Sequence, residues 1–82
     1  MQILITNQAE KKLRKLNSKI RERIRNALNK LPLGDIKKLK GFKNDYRLKI
    51  GDYRIIYEKE NNIITIKDIL PRENAYKKLK RS

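Results

Sequence analysis

Three cations lie on the same side of a predicted β-hairpin at residues 45–57. The stretch DYRLKIGDYRIIY is typical of two short strands joined by a two-residue Gly-Asp turn. Pairing the strands about this turn places Lys49 opposite Arg54, and the alternation of side chains puts Arg47 on the same face. Like charges that face each other across a sheet destabilise it. A bound anion such as a phosphate would offset this repulsion, so the pattern favours an anion site over a solvated sheet face.

The other face of the same hairpin is apolar and aromatic. Alternation predicts that this face packs against the core, and that its tyrosines pack there rather than stack on bases. Its members are Tyr46, Leu48, Ile50, Tyr53, Ile55 and Tyr57.

The charge balance of the chain points in the same direction as the hairpin. The 82 residues include 23 Lys and Arg against 9 Asp and Glu, for a formal net charge of +14. Such an excess on a small domain favours a polyanionic partner, with nucleic acid first and a membrane surface second. The alternative is a basic surface that only keeps the protein in solution.

The missing residue types exclude several kinds of chemistry. The sequence contains no cysteine and no histidine, which excludes a disulfide framework, thiolate chemistry and proton transfer by imidazole. We therefore expect neither a metal site nor a cofactor. No apolar run approaches the roughly 20 residues of a membrane span, and MQILIT is too short for a signal peptide. These observations predict a cytoplasmic protein.

Helical periodicity and turn residues predict the elements that position the hairpin. Asn7 and Ser18 are candidate caps of two helices whose apolar residues recur every three or four positions. Counting from the turn after the second hairpin strand places Ile64, Ile66 and Leu70 on the core face of the last strand. The predicted elements are a strand at 2–6, helices at 7–16 and 18–31, a loop at 31–45, the two hairpin strands, a last strand at 63–70 and a short C-terminal helix.

This order, β-α-α-β-β-β-(α), predicts an α+β fold with an antiparallel sheet packed on an N-terminal helical hairpin. We expect a single domain over residues 1–82, with a basic tail that frays from about residue 78.

The segment KLKGFKNDYRLKIGDYRIIYE, followed by IITIKDILPRENAYKK, resembles the RelE/ParE toxin superfamily. The resemblance covers nearly the whole chain and implies a RelE-like fold. RelE-like toxins of type II toxin–antitoxin systems cleave messenger RNA in the ribosomal A site, whereas ParE-like toxins inhibit DNA gyrase and are not nucleases. The basic residues retained in the hairpin favour the RelE-like branch.

The resemblance also implies roles for particular residues. Lys49, Arg54, Arg72 and Tyr76 correspond to catalytic positions, and Arg47, Lys40 and Lys43 to RNA-binding positions. The implied reaction is a metal-independent attack of a ribose 2′-OH on the adjacent phosphate. Tyr76 is the first candidate for the general base, and Glu58, which shares the face of Arg54, is the second.

The resemblance implies an antitoxin encoded alongside, and messenger and ribosomal RNA as further partners. Two alternatives remain open from the sequence. One is a ParE-like gyrase inhibitor without nuclease activity, and the other is a non-catalytic module that binds nucleic acid.

Overall fold

The computed structural model describes residues 2–31, 33–41 and 44–71, and these residues form two helices and a five-stranded sheet. The α+β class is therefore confirmed. The predicted C-terminal helix lies outside the described residues. The elements are β1 (Gln2–Ile5), α1 (Asn7–Arg14), α2 (Ser18–Asn29), β2 (Asp35–Lys38), β3 (Asp45–Ile50), β4 (Tyr53–Glu60) and β5 (Ile63–Pro71).

The N-cap of each helix lies one residue before the predicted cap: Thr6 instead of Asn7, and Asn17 instead of Ser18. The Thr6 side chain accepts a hydrogen bond from the backbone N–H of Ala9, and the Asn17 side chain accepts one from Ile20. Thr6 and Asn17 both have extended backbone, the conformation that aims a cap side chain at the free N–H groups of the first turn. Among the described residues, no helix is long and apolar enough to cross a membrane.

The strands are ordered β1-β5-β4-β3-β2, and the sheet is mixed. β1 pairs with β5 in parallel, while the other three pairs are antiparallel. The prediction of a wholly antiparallel sheet is wrong for this one pair. Between β1 and β5 the chain forms the two helices and then the three consecutive antiparallel strands β2, β3 and β4. It therefore returns beside β1 in the same direction.

The second difference is β2, since residues 35–38 were predicted to belong to a loop. Ile36 pairs with Leu48, and the segment forms the edge of the sheet beside the hairpin. Four residues are too few for periodicity to distinguish a strand from a loop. The pairing with β3 is what makes this segment a strand.

The helices cover one face of the sheet, which we call the inner face; the opposite one is the outer face. α1 packs on β5 and α2 packs on β3. The hairpin side chains predicted to face the core do so: Leu48, Ile55 and Tyr57 are buried, and the others pack against them partly buried. Fully burying a Leu or Ile side chain contributes about 1.5–3 kcal/mol. The buried helix residues opposite are Ala9, Leu13, Ile24 and Leu28.

A β-bulge changes which side chains of β5 face the helices. Tyr57 lies opposite Ile66, but Ile56 lies opposite Asp68, so Lys67 is an extra residue in β5. After the bulge, Leu70 lies opposite Arg54 and faces the outer side of the sheet. The prediction that Leu70 shares the core face is therefore wrong.

Candidate nucleic-acid interface

The predicted register of the β3–β4 hairpin is confirmed. Lys49 lies opposite Arg54, and Arg47 lies opposite Ile56, all on the outer face of the sheet. The turn between the strands is two residues long, and Gly51 has a φ of 55°, which suits the first central position of a type II′ turn. This turn sets the pairing, so it also brings the three predicted cations onto one surface.

The edge strand β2 adds two charged residues to this surface that the sequence analysis missed. Lys37 lies opposite Arg47, and Asp35 lies opposite Lys49. The predicted loop at 31–45 hides both residues, and the sequence signal for a strand there is the alternation of Ile36 with its charged neighbours. We call the resulting set of four cations, Lys37, Arg47, Lys49 and Arg54, the basic face.

Arg54 is held in place by the turn of its own hairpin. Its Nη1 donates hydrogen bonds to the carbonyl oxygens of Gly51, at 3.3 Å, and Tyr53, at 3.2 Å. The residue is only 8% exposed. Among the described residues, both hydrogen bonds of the guanidinium use Nη1, so Nε and Nη2 retain donors for an anion. A fixed guanidinium with unused donors is suited to clamp a phosphate.

A second arginine approaches the same turn from the helix layer. A Cβ on Gly51 would lie 3.4 Å from Nη2 of Arg23 in α2. That distance is an ordinary van der Waals contact, so it is the positive φ that favours glycine at position 51. The turn that orients Arg54 therefore lies beside the Arg23 side chain of α2.

The other two hairpin cations differ in their surroundings. Arg47 has a side chain that is 17% exposed, and its Nη1 lies 3.9 Å from Oδ1 of Asp35. Lys49 is exposed. At 3.9 Å the contact between Arg47 and Asp35 is an ion pair without a hydrogen bond. Lys49 is thus open to an anion, and Arg47 has a weak internal partner.

The far end of the outer face is acidic. Asp45 lies opposite Glu58, and Nζ of Lys67 lies 3.1 Å from Oδ2 of Asp45. Glu58 follows Arg54 by four residues along β4, which separates their Cα atoms by about 13 Å. A phosphate held by Arg54 and Lys49 would therefore lie far from Glu58. This distance argues against Glu58 as the general base at that position.

The remaining predicted site residues are not joined to the basic face by any described contact. Lys40 is exposed in a turn after β2. Lys43, Arg72 and Tyr76 lie outside the described residues. The structure thus brings together Arg47, Lys49 and Arg54 of the seven candidates.

A family model described as the ParE toxin of the type II toxin–antitoxin system parDE matches residues 3–76. The chain belongs to the RelE/ParE toxin superfamily. A curated relative, Toxin RelE3 of Methanocaldococcus jannaschii, is 36% identical over 85 residues, covering 93% of this chain and 96% of the relative. The chain is accordingly a RelE-like toxin of a type II toxin–antitoxin system, as the hairpin motif predicted.

Solved structures agree with this assignment to the RelE/ParE superfamily. A chain of the RelB-RelE antitoxin–toxin complex from Methanococcus jannaschii matches with a TM-score of 0.75 and 33% identity, over 92% of this chain and 96% of that one. A chain of the archaeal RelE-RelB complex from Pyrococcus horikoshii OT3 matches with a TM-score of 0.72 and 30% identity, over 87% of this chain and 93% of that one. The RelE-like fold is therefore confirmed.

Proposed function

We propose that this toxin is an endoribonuclease that cleaves messenger RNA in the ribosomal A site. The observation that carries the proposal is the pair Lys49 and Arg54, which lie opposite each other on the outer face. A second opposed pair, Lys37 and Arg47, lies two residues further along the strands. Four cations in two adjacent rows suit a run of phosphates rather than a single small anion.

The proposed reaction is a transfer within the RNA. The ribose 2′-oxygen forms a bond to the adjacent phosphorus as the bond from phosphorus to the 5′-oxygen of the next nucleotide breaks. The 2′-OH loses its proton to a base, and the leaving 5′-oxygen takes up a proton. The products are a 2′,3′-cyclic phosphate and a 5′-hydroxyl, and the reaction requires neither a metal ion nor a cofactor. DNA lacks the 2′-OH and would not be cleaved.

The basic face supports this chemistry through the charge that develops on the phosphoryl oxygens. Arg54 offers Nε and Nη2 in a fixed plane, and Lys49 offers a compact exposed charge beside it. Arg47 holds a neighbouring phosphate and positions the RNA. In the proposal, Arg72 is a second clamp and Tyr76 transfers the proton, a contribution of about 10²–10⁴-fold.

The proposed binding partners of this toxin follow from its net positive charge and from the complexes that its relatives form. The archaeal relatives with solved structures are complexes with RelB. We propose that this chain likewise binds an antitoxin, whose acidic segment covers a surface of a protein with net charge +14. Lys40 and Lys43 are proposed to contact RNA phosphates, and exposed cations of α1 such as Lys11 to contact ribosomal RNA. All these contacts predict binding that weakens steeply with salt.

The test is a translation reaction with a defined message, the purified toxin, and primer extension to map the breaks. Arg54→Ala removes the clamp, and Arg25→Ala is the matched control because it removes an exposed positive charge from α2. Breaks phased with codons that disappear with Arg54→Ala and persist with Arg25→Ala support the proposal. An intact message with normal protein synthesis overturns it.

The second candidate is a ParE-like inhibitor of DNA gyrase, favoured by the family model, whose description names the ParE toxin. A supercoiling assay with purified gyrase distinguishes the two functions. Inhibition of supercoiling together with an intact message would establish the ParE-like function. A third reading, a non-catalytic nucleic-acid-binding module, predicts salt-dependent RNA binding with neither cleavage nor gyrase inhibition.

A further inference from the structure

One carboxylate lies among the cations of the basic face. Asp35 is directly opposite Lys49, and the register places it diagonal to Arg47. Directly opposed side chains have Cβ atoms about 4.5–5.5 Å apart, and diagonal ones about 7–8 Å. Asp35 is thus within reach of both cations on the surface proposed to hold phosphates.

The contact of Asp35 with Arg47 has the geometry of an exchangeable pair. The Asp35 side chain is 62% exposed, whereas that of Arg47 is 17% exposed, so the anion is the more accessible partner to solvent. The separation of 3.9 Å is too long for a direct hydrogen bond. A phosphate approaching from solvent can therefore replace the carboxylate without breaking a bidentate contact.

We propose that Asp35 is a resident counter-ion of the basic face, which occupies the place of a phosphate beside Arg47 and sets the affinity threshold for polyanions. A polyanion must displace this carboxylate before it engages Arg47, so nucleic acid that does not fill the rest of the face binds weakly. The identity of the anion as an RNA phosphate rests on the proposed function. The competition itself depends only on the basic face.

Removal of the Asp35 charge beside Arg47 should change both the affinity for an oligonucleotide and the salt dependence of that affinity. Replacing Asp35 with Asn frees one cation, so a non-specific oligonucleotide gains about one effective phosphate contact and the salt slope rises by about 0.7–0.9. We expect about 3–10-fold tighter binding at low salt, a gain that shrinks as salt rises. If Asp35 only stabilises the sheet edge, the substitution changes thermal stability and leaves binding unchanged.

The experiment measures binding of a short fluorescent deoxyoligonucleotide by anisotropy between about 50 and 200 mM salt. DNA is used because it lacks the 2′-OH and so reports binding without cleavage. Glu22→Gln is the matched control, since it removes one exposed negative charge from α2 in the helix layer. Asp35→Ser is a second neutral variant, Asp35→Glu restores the charge, and thermal unfolding verifies the fold of each.

Tighter binding and a steeper salt slope with Asp35→Asn and Asp35→Ser, but not with Glu22→Gln, support the proposal. The gain must also disappear when Arg47→Ala is present, because the effect acts through that arginine. A gain equal to that of Glu22→Gln, weaker binding, or an undiminished gain with Arg47→Ala overturns it. None of these outcomes depends on RNA cleavage, so failure of the proposed nuclease function is read separately in the translation assay.

Discussion

The guanidinium of Arg54 donates a hydrogen bond to the carbonyl oxygen of Gly51, three residues earlier in the chain, at 3.3 Å. Gly51 has a φ of 55°, a conformation that the first position of this two-residue hairpin turn requires and that glycine adopts without strain. The turn therefore has two effects. It sets the register that places Arg54 beside Lys49, and its Gly51 carbonyl orients the Arg54 side chain.

Arg54→Lys keeps the positive charge but removes the planar set of donors. We expect RNA cleavage in the translation reaction to fall about 10²–10³-fold, the range measured when one fixed donor to a developing charge is lost. A lysine cannot bond the turn carbonyls and a phosphate in the same plane. The rate is followed by primer extension over time, with Arg25→Lys as the control. Near-normal cleavage by Arg54→Lys would show that charge alone is sufficient.

Gly34→Ala should destabilise the fold more than Gly41→Ala. Both glycines have positive φ, 136° and 80°, but a Cβ at Gly34 would lie 2.9 Å from Cδ1 of Leu48, while one at Gly41 meets nothing within 4 Å. Strain and overpacking together predict a loss of about 2–4 kcal/mol for Gly34→Ala. Strain alone predicts about 1–2 kcal/mol for Gly41→Ala. Urea unfolding measures both, and equal losses would show that the Leu48 contact is relieved.

Lys12→Ala should weaken the attachment of α1 to β5. Nζ of Lys12 lies 2.6 Å from Oδ1 of Asp68, whose side chain is 12% exposed. Removing a charged partner of a buried carboxylate usually costs about 1.5–3 kcal/mol, and we expect about 1 kcal/mol because Lys12 is more than one-third exposed. The neighbouring Lys11→Ala, at an exposed position, should change the free energy of unfolding by less than about 0.5 kcal/mol. Equal effects of the two variants would contradict this role of Lys12.

Tyr57→Phe should alter stability mainly at alkaline pH. Burial, followed by the neighbouring Tyr46, raises the pKa of Tyr57 above its usual value of 10.0. A raised pKa means that the folded state holds the phenolic proton more tightly than the unfolded chain. This contribution to stability is complete below about pH 10 and is lost as pH rises through the higher folded pKa.

Urea unfolding of the wild type and Tyr57→Phe at pH 7 and at several values above pH 9 measures this contribution. The wild type should lose stability more steeply than the variant above pH 10, because only the wild type carries the phenol of Tyr57 with its raised pKa. Parallel pH profiles would show that the Tyr57 pKa does not differ between the folded and unfolded states. The stacked ring of Tyr46, with centroids 5.4 Å apart, remains paired with a phenyl ring in the variant.

The local parts of this protein could be predicted from the sequence. A two-residue turn determines which residues of its two strands face each other, so the pairing of Lys49 with Arg54 followed from counting. The helices followed from apolar spacing, and the hairpin motif indicated the superfamily. In each case the information lies within a few residues along the chain.

Non-local pairing decided the rest. Residues 35–38 are a strand only because β3 offers them a partner, and that pairing brings Lys37 and Asp35 onto the basic face. The bulge in β5 depends on its contacts with β4, and it moves Leu70 from the expected core face to the side of Arg54. Counting along one segment cannot detect either feature, because both depend on hydrogen bonds and packing between segments distant in sequence. The sequence therefore determined the three hairpin cations, and the tertiary structure decided which charges surround them.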